Sequence, residues 1–156
     1  MQQDKQVTIY TDGASRGNPG PGGFGAILLW GERAKELSGG YRYTTNNRME
    51  LMAVIAALEV LKKKNLELVI YSDSQYVVNS VEKKLLEGWI RNDFKGGKKN
   101  KDLWKRYYQL SRDYKIKFKW VRGHADNAFN NRCDELATQA ADGKVLSIDH
   151  GYELES

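Results

Sequence analysis

The run LELVIYSD, Leu66 to Asp73, constrains the fold more than any other part of the chain. It is almost continuously apolar and short. That pattern marks a strand buried on both faces, as in a parallel pair. Parallel strands cannot be joined by a tight turn and need a crossover, usually a helix. The chain must therefore alternate strands with helices around one sheet. A crossover helix is predicted just upstream, over about 46–63. It opens at TTNN, a run of good cap residues, and Glu50 falls in its early turns. Met49, Leu51, Met52, Val54, Ile55, Leu58 and Leu61 place apolar groups on nearly every side of it, as expected for a helix pressed against a sheet.

The remaining elements follow from local pattern. VTIYTD (7–12), FGAILLW (24–30) and the stretch from Ala34 to Tyr41 read as strands, the last two joined by a turn at Gly31-Glu32. RGNPGPGG, Arg16 to Gly23, reads as a loop because glycine and proline dominate it. SDSQ caps a helix carrying Tyr76, Val77, Val81 and Leu85, and a loose basic loop follows. A helix is predicted from Asp102 through DLWKRYYQL. KIKFKWV, Lys115 to Val121, alternates as a half-exposed strand does, and a last helix covers about Phe129 to Asp142. The order βββ-α-β-αα-β-α gives an α/β fold: a mixed five-stranded sheet, three antiparallel strands then two parallel, with helices on both faces. The whole of 1–156 is expected to form one domain.

A chain of 156 residues can bury roughly 68–70% of its unfolded surface, so no disulfide or structural metal is needed. Cys133 stands alone and suits a reducing compartment. MQQDKQ has no apolar core behind it, and no run approaches the roughly 20 residues of a membrane span. The expectation is a monomeric cytoplasmic protein with no membrane attachment.

The formal charge is +5, compatible with a polyanionic partner. Its distribution says more. Arg91, Lys95, Lys98, Lys99 and Lys101 face a single acid, Asp93. Arg112, Lys115, Lys117, Lys119 and Arg122 form a second basic stretch. Either run alone would pass for a solvated surface. Trp89, Phe94, Trp104 and Trp120 lie in or beside them, and aromatic rings among cations favour nucleic acid.

Four carboxylates stand out by position: Asp12 and Asp73 at strand ends, Glu50 early in the buried helix, and Asp134 in the last helix. Each has an ordinary reading as a turn, cap or surface residue. If strands one and four are parallel neighbours, however, Asp12 and Asp73 emerge side by side at the edge where open α/β sheets bind ligands. Crowded ionised acids repel unless a cation offsets them. An all-oxygen donor set suits Mg²⁺, with Mn²⁺ as a substitute. No His/Cys cluster favours zinc, and no Ser/His/Asp pattern favours covalent catalysis. Two cations would reconcile acids with a phosphate substrate by clamping the attacking and leaving oxygens. His124, in WVRGHAD, falls in a loop after a strand and suits proton shuttling. His150 has no such support. RGNPGPGG lacks the GK[ST] ending of a P-loop and reads as a turn that lets a nucleic-acid strand approach.

IYTDGASRGNPGPGGFGAIL, TTNNRMELMAVIAALEVL, YSDSQYVV, DLWKR, KWVRGHADNAFNNRCDELA and the closing GY together resemble the bacterial type 1 ribonuclease H family, over about Val7 to Tyr152. The resemblance implies a ribonuclease H-like fold. It also implies endonucleolytic hydrolysis of the RNA strand of RNA–DNA hybrids without sequence specificity, leaving 5′-phosphate and 3′-hydroxyl ends. It assigns Asp12, Glu50, Asp73 and Asp134 to two magnesium ions held with substrate, and His124 to proton transfer and product release. Ser15, Asn18, Thr45, Asn46 and Gln75 match the family's substrate-contacting loop positions. The stretch 81–101 matches a basic protrusion that grips the DNA strand, with Trp89, Lys95, Lys98 and Lys99 as contacts; it is shorter here and has fewer tryptophans. Asp126-Asn127-Ala128-Phe129 replaces a commoner His-Pro-Glu run after His124. A resolvase or transposase core on the same scaffold would need further domains. A non-catalytic hybrid or double-stranded RNA binding module would not need all four acids.

Overall fold

The computed structural model describes residues 6–97, 99–122 and 127–154. Its single sheet has the order β3-β2-β1-β4-β5, from β1 (Gln6–Ser15), β2 (Gly20–Trp30), β3 (Arg33–Thr44), β4 (Glu67–Ser72) and β5 (Lys115–Trp120). β1 pairs antiparallel with β2, and β2 with β3; β1 pairs parallel with β4, and β4 with β5. The expected mixed sheet is therefore present. The helices are α1 (Asn46–Val60), α2 (Gln75–Glu82), α3 (Leu85–Arg91), α4 (Lys101–Ser111), α5 (Ala128–Ala141) and the single turn α6 (His150–Glu153). No helix among the described residues is long and apolar enough to cross a membrane.

The main core fills the space between one sheet face and α1, α2 and α4. Val7, Ile9, Leu68, Ile70 and Phe118 meet Leu51, Ile55, Leu58, Val77 and Trp104 there. α1 is buried along almost its whole length, as its all-round apolar pattern required. Thr45 caps it, its hydroxyl accepting from the Arg48 N–H at 3.3 Å. The helix stops at Val60, short of the expected 63, because Leu61 turns to extended backbone.

α5 packs on the opposite face, against β1, β2 and β3. This contact corrects one expectation. Gly20–Gly23, read from composition as loop, belongs to β2. The glycines serve close approach rather than a turn. A Cβ on Gly23 would lie 2.4 Å from the Ala137 carbonyl oxygen, and one on Gly25 would lie 2.5 Å from that of Cys133. Bare backbone is what lets α5 lie so close to the sheet.

Three further expectations change. β4 is not buried on both faces: Leu68, Ile70 and Ser72 are buried, but Val69 and Tyr71 are only half-buried. Its apolar composition hid an outer face that is only half-buried. Leu85 does not extend the α2 helix. Lys84 adopts left-handed backbone (φ 60°), and the supposed basic loop begins with α3. Finally, α6 was not foreseen; at one turn it is too short to leave a periodic signal.

Arg48 ties α1 to α4 and to the segment before α6. Its side chain, only 3% exposed, pairs with Asp102 at 2.7 Å and Asp149 at 2.8 Å. Asp149 also accepts from the Thr44 hydroxyl at 2.6 Å and caps α6. A buried cation with two carboxylates and few vacant donors fixes α1, α4 and the C-terminal segment in register.

Candidate active site

Parallel pairing of β1 with β4 runs from Gln6↔Glu67 to Thr11↔Ser72. Asp12 and Asp73 are the next residues along each chain, so they emerge together at the carboxyl edge. Glu50 joins them from α1. The helix backbone sits hard against β1, where a Cβ on Gly13 would lie 2.3 Å from the Glu50 nitrogen. Carboxylate oxygens of Asp12, Glu50 and Asp73 all fall within 4.8 Å of one another. Asp12 is 4% and Glu50 5% exposed.

Burial, then the neighbouring Asp73 charge, pushes the Asp12 carboxyl up to about 8, with Asp134 adding to the effect. Hydrogen bonding with Glu50 and from the Gly13 N–H, at 2.8 Å, pulls the other way. Burial, then Asp12 and Asp73, holds Glu50 well above the ordinary carboxylate range. The protein thus concentrates acids where their charge is unfavourable unless a cation arrives.

Glu50 Oε1, Asp73 Oδ1 and Asn130 Oδ1 are buried acceptors with no hydrogen-bond partner among the described residues. Orphaned buried oxygens are costly, and they suit a cation or ordered water. The donor set is all oxygen, as hard divalent cations prefer. The residues present therefore fit the expected metal.

Asp134 stands off from this trio. It lies on an exposed part of α5, outside the 4.8 Å cluster, yet near enough to raise Asp12. His124 and Lys98 lie outside the described residues.

The substrate-contact candidates form two groups. Asn18, Thr45 and Lys99 line one cavity of about 600 Å³, together with Arg48, Asn100 and Tyr152. The Asn18 side chain accepts from the Asn46 N–H at 3.1 Å, which ties the β1–β2 turn to the start of α1. Ser15 ends β1 and Gln75 opens α2, exposed. Lys95 is exposed. Trp89 is less available than expected. It is half-buried, with its ring 6.0 Å from Trp104 and 6.4 Å from Phe94, and packs on the core.

Trp120, read from sequence only as an aromatic beside a basic run, and Asn130, not singled out there, both belong to the site. The Trp120 indole N–H donates to the Asp73 carbonyl at 3.2 Å and so braces an acid of the cluster. Only the register of β4 with β5, pairing Ser72 with Trp120, brings them together. Asn130 lies one helical turn before Asp134, hence on the same face of α5, and that spacing was visible in NNRCDELA.

Three acids at the parallel-strand edge of a mixed sheet, flanked by basic and polar loops, define an α/β nuclease of the carboxylate, divalent-cation class. The comparisons narrow this. The RNase H family model matches residues 4–142. Curated ribonucleases H are similar throughout: that of Syntrophus aciditrophicus is 53% identical, covering 95% of this chain and 87% of its own; that of Chlorobium phaeobacteroides is 55% identical, covering 87% and 95%. Among solved structures, LC9-RNase H1, a type 1 RNase H with the type 2 active-site motif, superposes with TM-score 0.82 at 29% identity, over 92% of this chain and 75% of that one. LC11-RNase H1 in complex with RNA/DNA hybrid gives TM-score 0.68 at 26% identity, over 87% and 96%. The chain belongs to the ribonuclease H family.

Proposed function

We propose that this chain hydrolyses the RNA strand of RNA–DNA hybrids at the Asp12, Glu50, Asp73 and Asp134 carboxylates, with two Mg²⁺ ions bound alongside substrate and Mn²⁺ able to replace them. The convergence of three carboxylates within 4.8 Å, two of them almost fully buried, carries the reading. When bound, the cations supply hydroxide near neutral pH and offset charge on the departing oxygen. The chain's own part is positioning. Gly13 and Trp120 brace Asp12 and Asp73 through backbone and indole hydrogen bonds. Asp134 adds a fourth carboxylate from α5. His124 carries protons to and from the reacting groups. Ser15, Asn18, Thr45, Asn46 and Gln75 contact the hybrid, where 2′-hydroxyls distinguish the RNA strand. Lys95, Lys98 and Lys99 hold the DNA strand by charge, and Trp89 contacts it through the part of its ring left exposed. Products carry 5′-phosphate and 3′-hydroxyl ends. The enzyme works as a monomer in the cytoplasm.

The test is cleavage of end-labelled hybrid, duplex DNA and duplex RNA with Mg²⁺, with Mn²⁺ and with chelator. Only the hybrid's RNA strand should be cut, and only with cation. Equal cutting of all three substrates, or cutting in chelator, overturns the proposal.

A further inference from the structure

The outer face of β4 and β5 carries an ordered row of side chains beside the acids. Tyr10 of β1 lies opposite Tyr71 of β4, and Tyr71 opposite Lys119 of β5. The Tyr10 and Tyr71 rings stack at 4.8 Å and 12°. Phe129, from the first turn of α5, stacks on Tyr10 at 5.2 Å and 29°. The Lys119 ammonium lies 5.9 Å from the Tyr71 ring centroid. Phe129, Tyr10, Tyr71 and Lys119 thus cross the sheet in contact order. Lys117 sits one step further along β5, two residues before Lys119 and on the same face.

Position relates this row to the acids. Asp12 is two residues beyond Tyr10 in the same strand, and Asp73 two beyond Tyr71. Strand geometry sets the row roughly 7 Å beneath the acid pair. A nucleic-acid strand seated on the acids reaches this row within a nucleotide or two.

Chemistry favours an occupant. Phe129 is 41% exposed, leaving ring surface on which a base can stack. Lys117 and Lys119 are exposed and form no ion pair among the described residues. Lysines on an edge strand can simply deter strand pairing, but that role needs no adjoining aromatic stack. Rings and unpaired lysines side by side form the surface that single strands prefer, with bases on rings and phosphates near cations.

We propose that the Phe129–Tyr10–Tyr71–Lys119 row, with Lys117, binds a single-stranded RNA segment that continues from the scissile strand beyond the end of a hybrid. This rests on the reading that Asp12 and Asp73 act on the RNA strand. The site makes hybrids with frayed or tailed RNA better ligands than blunt ones. It adds reach along the RNA without adding sequence specificity, since every base offers a π-face.

Fluorescence anisotropy on the intact protein in chelator tests this. The probes are a blunt hybrid and the same hybrid with a 5′ RNA tail, a 3′ RNA tail or a DNA-strand tail, each tail of uridines or thymidines. One of the RNA tails should tighten binding roughly fivefold to tenfold. The tailed-to-blunt ratio should fall to near one in Phe129→Ser or in Lys117→Gln/Lys119→Gln. Because the ratio is taken within each variant, a general loss of affinity cancels. The proposal is overturned if neither RNA tail helps, if a DNA tail helps equally, or if the ratio survives in both variants. Cleavage of the blunt hybrid with Mg²⁺ by the unaltered chain is measured alongside. Failure there strikes the hybrid-nuclease reading itself, whereas intact cleavage with no tail effect strikes only this site.

Discussion

Replacing Asp12 by Asn should abolish cleavage and, without cation, stabilise the fold. Carboxylate oxygens of the cluster lie within 4.8 Å of one another. At that separation two ionised groups repel by about 3 kcal/mol, taking an effective dielectric near 20. Asparagine keeps the shape and removes the charge. The sign follows from where the proton sits. Unfolded, Asp12 ionises near 3.8; folded, it holds its proton up to about 8. Across that window the native state binds the extra proton, so stability falls as pH rises through it. The penalty is absent below the window and complete above it. In chelator, Asp12→Asn should therefore exceed the unaltered protein by at least about 3 kcal/mol above pH ~8, the cost of burying the charge adding to the repulsion, with the gap closing toward pH ~4. Urea unfolding followed by circular dichroism measures the gap at each pH. Added Mg²⁺ should narrow it, because the unaltered site gains more from the cation. Parallel pH–stability curves for the two proteins would refute the reasoning, since the Asp12 charge would then carry no penalty from burial or from its neighbours.

Gly25→Ala should cost about 1–3 kcal/mol in thermal or urea unfolding, because its Cβ would meet the Cys133 carbonyl at 2.5 Å; cleavage should fall further than stability does, as α5 carries Asp134 away from the trio. Asp149→Ala should destabilise by about 3 kcal/mol, leaving the buried Arg48 guanidinium and Thr44 hydroxyl short of a partner, and a loss below 1 kcal/mol in calorimetry would argue against that cluster's role. Lys95→Gln with Lys99→Gln should weaken hybrid binding and lower its salt slope by about two, whereas an unchanged slope would place those lysines away from phosphate.

Local pattern determined much about this protein. Helix period and strand alternation were enough to place the five strands and the long helices, because each reports only on which side of its own element is buried. Asp12, Glu50 and Asp73 were legible as candidates because each stands near the end or start of an element predicted from pattern, although β1 in fact runs on past Asp12 to Ser15, and sheet order makes those positions neighbours. Contacts between distant segments were not legible in the same way. Gly20–Gly23 looked like a loop until α5 lay against it. The apolar run of β4 looked doubly buried, yet Tyr71 faces outward into the aromatic row. Trp89 looked like an open contact, yet it leans on Trp104. Arg48 gave no sign of its two carboxylates some fifty and a hundred residues away. In each case the deciding quantity is a distance across the fold, set by packing of backbone and side chains from different elements, and no periodicity within one element encodes it.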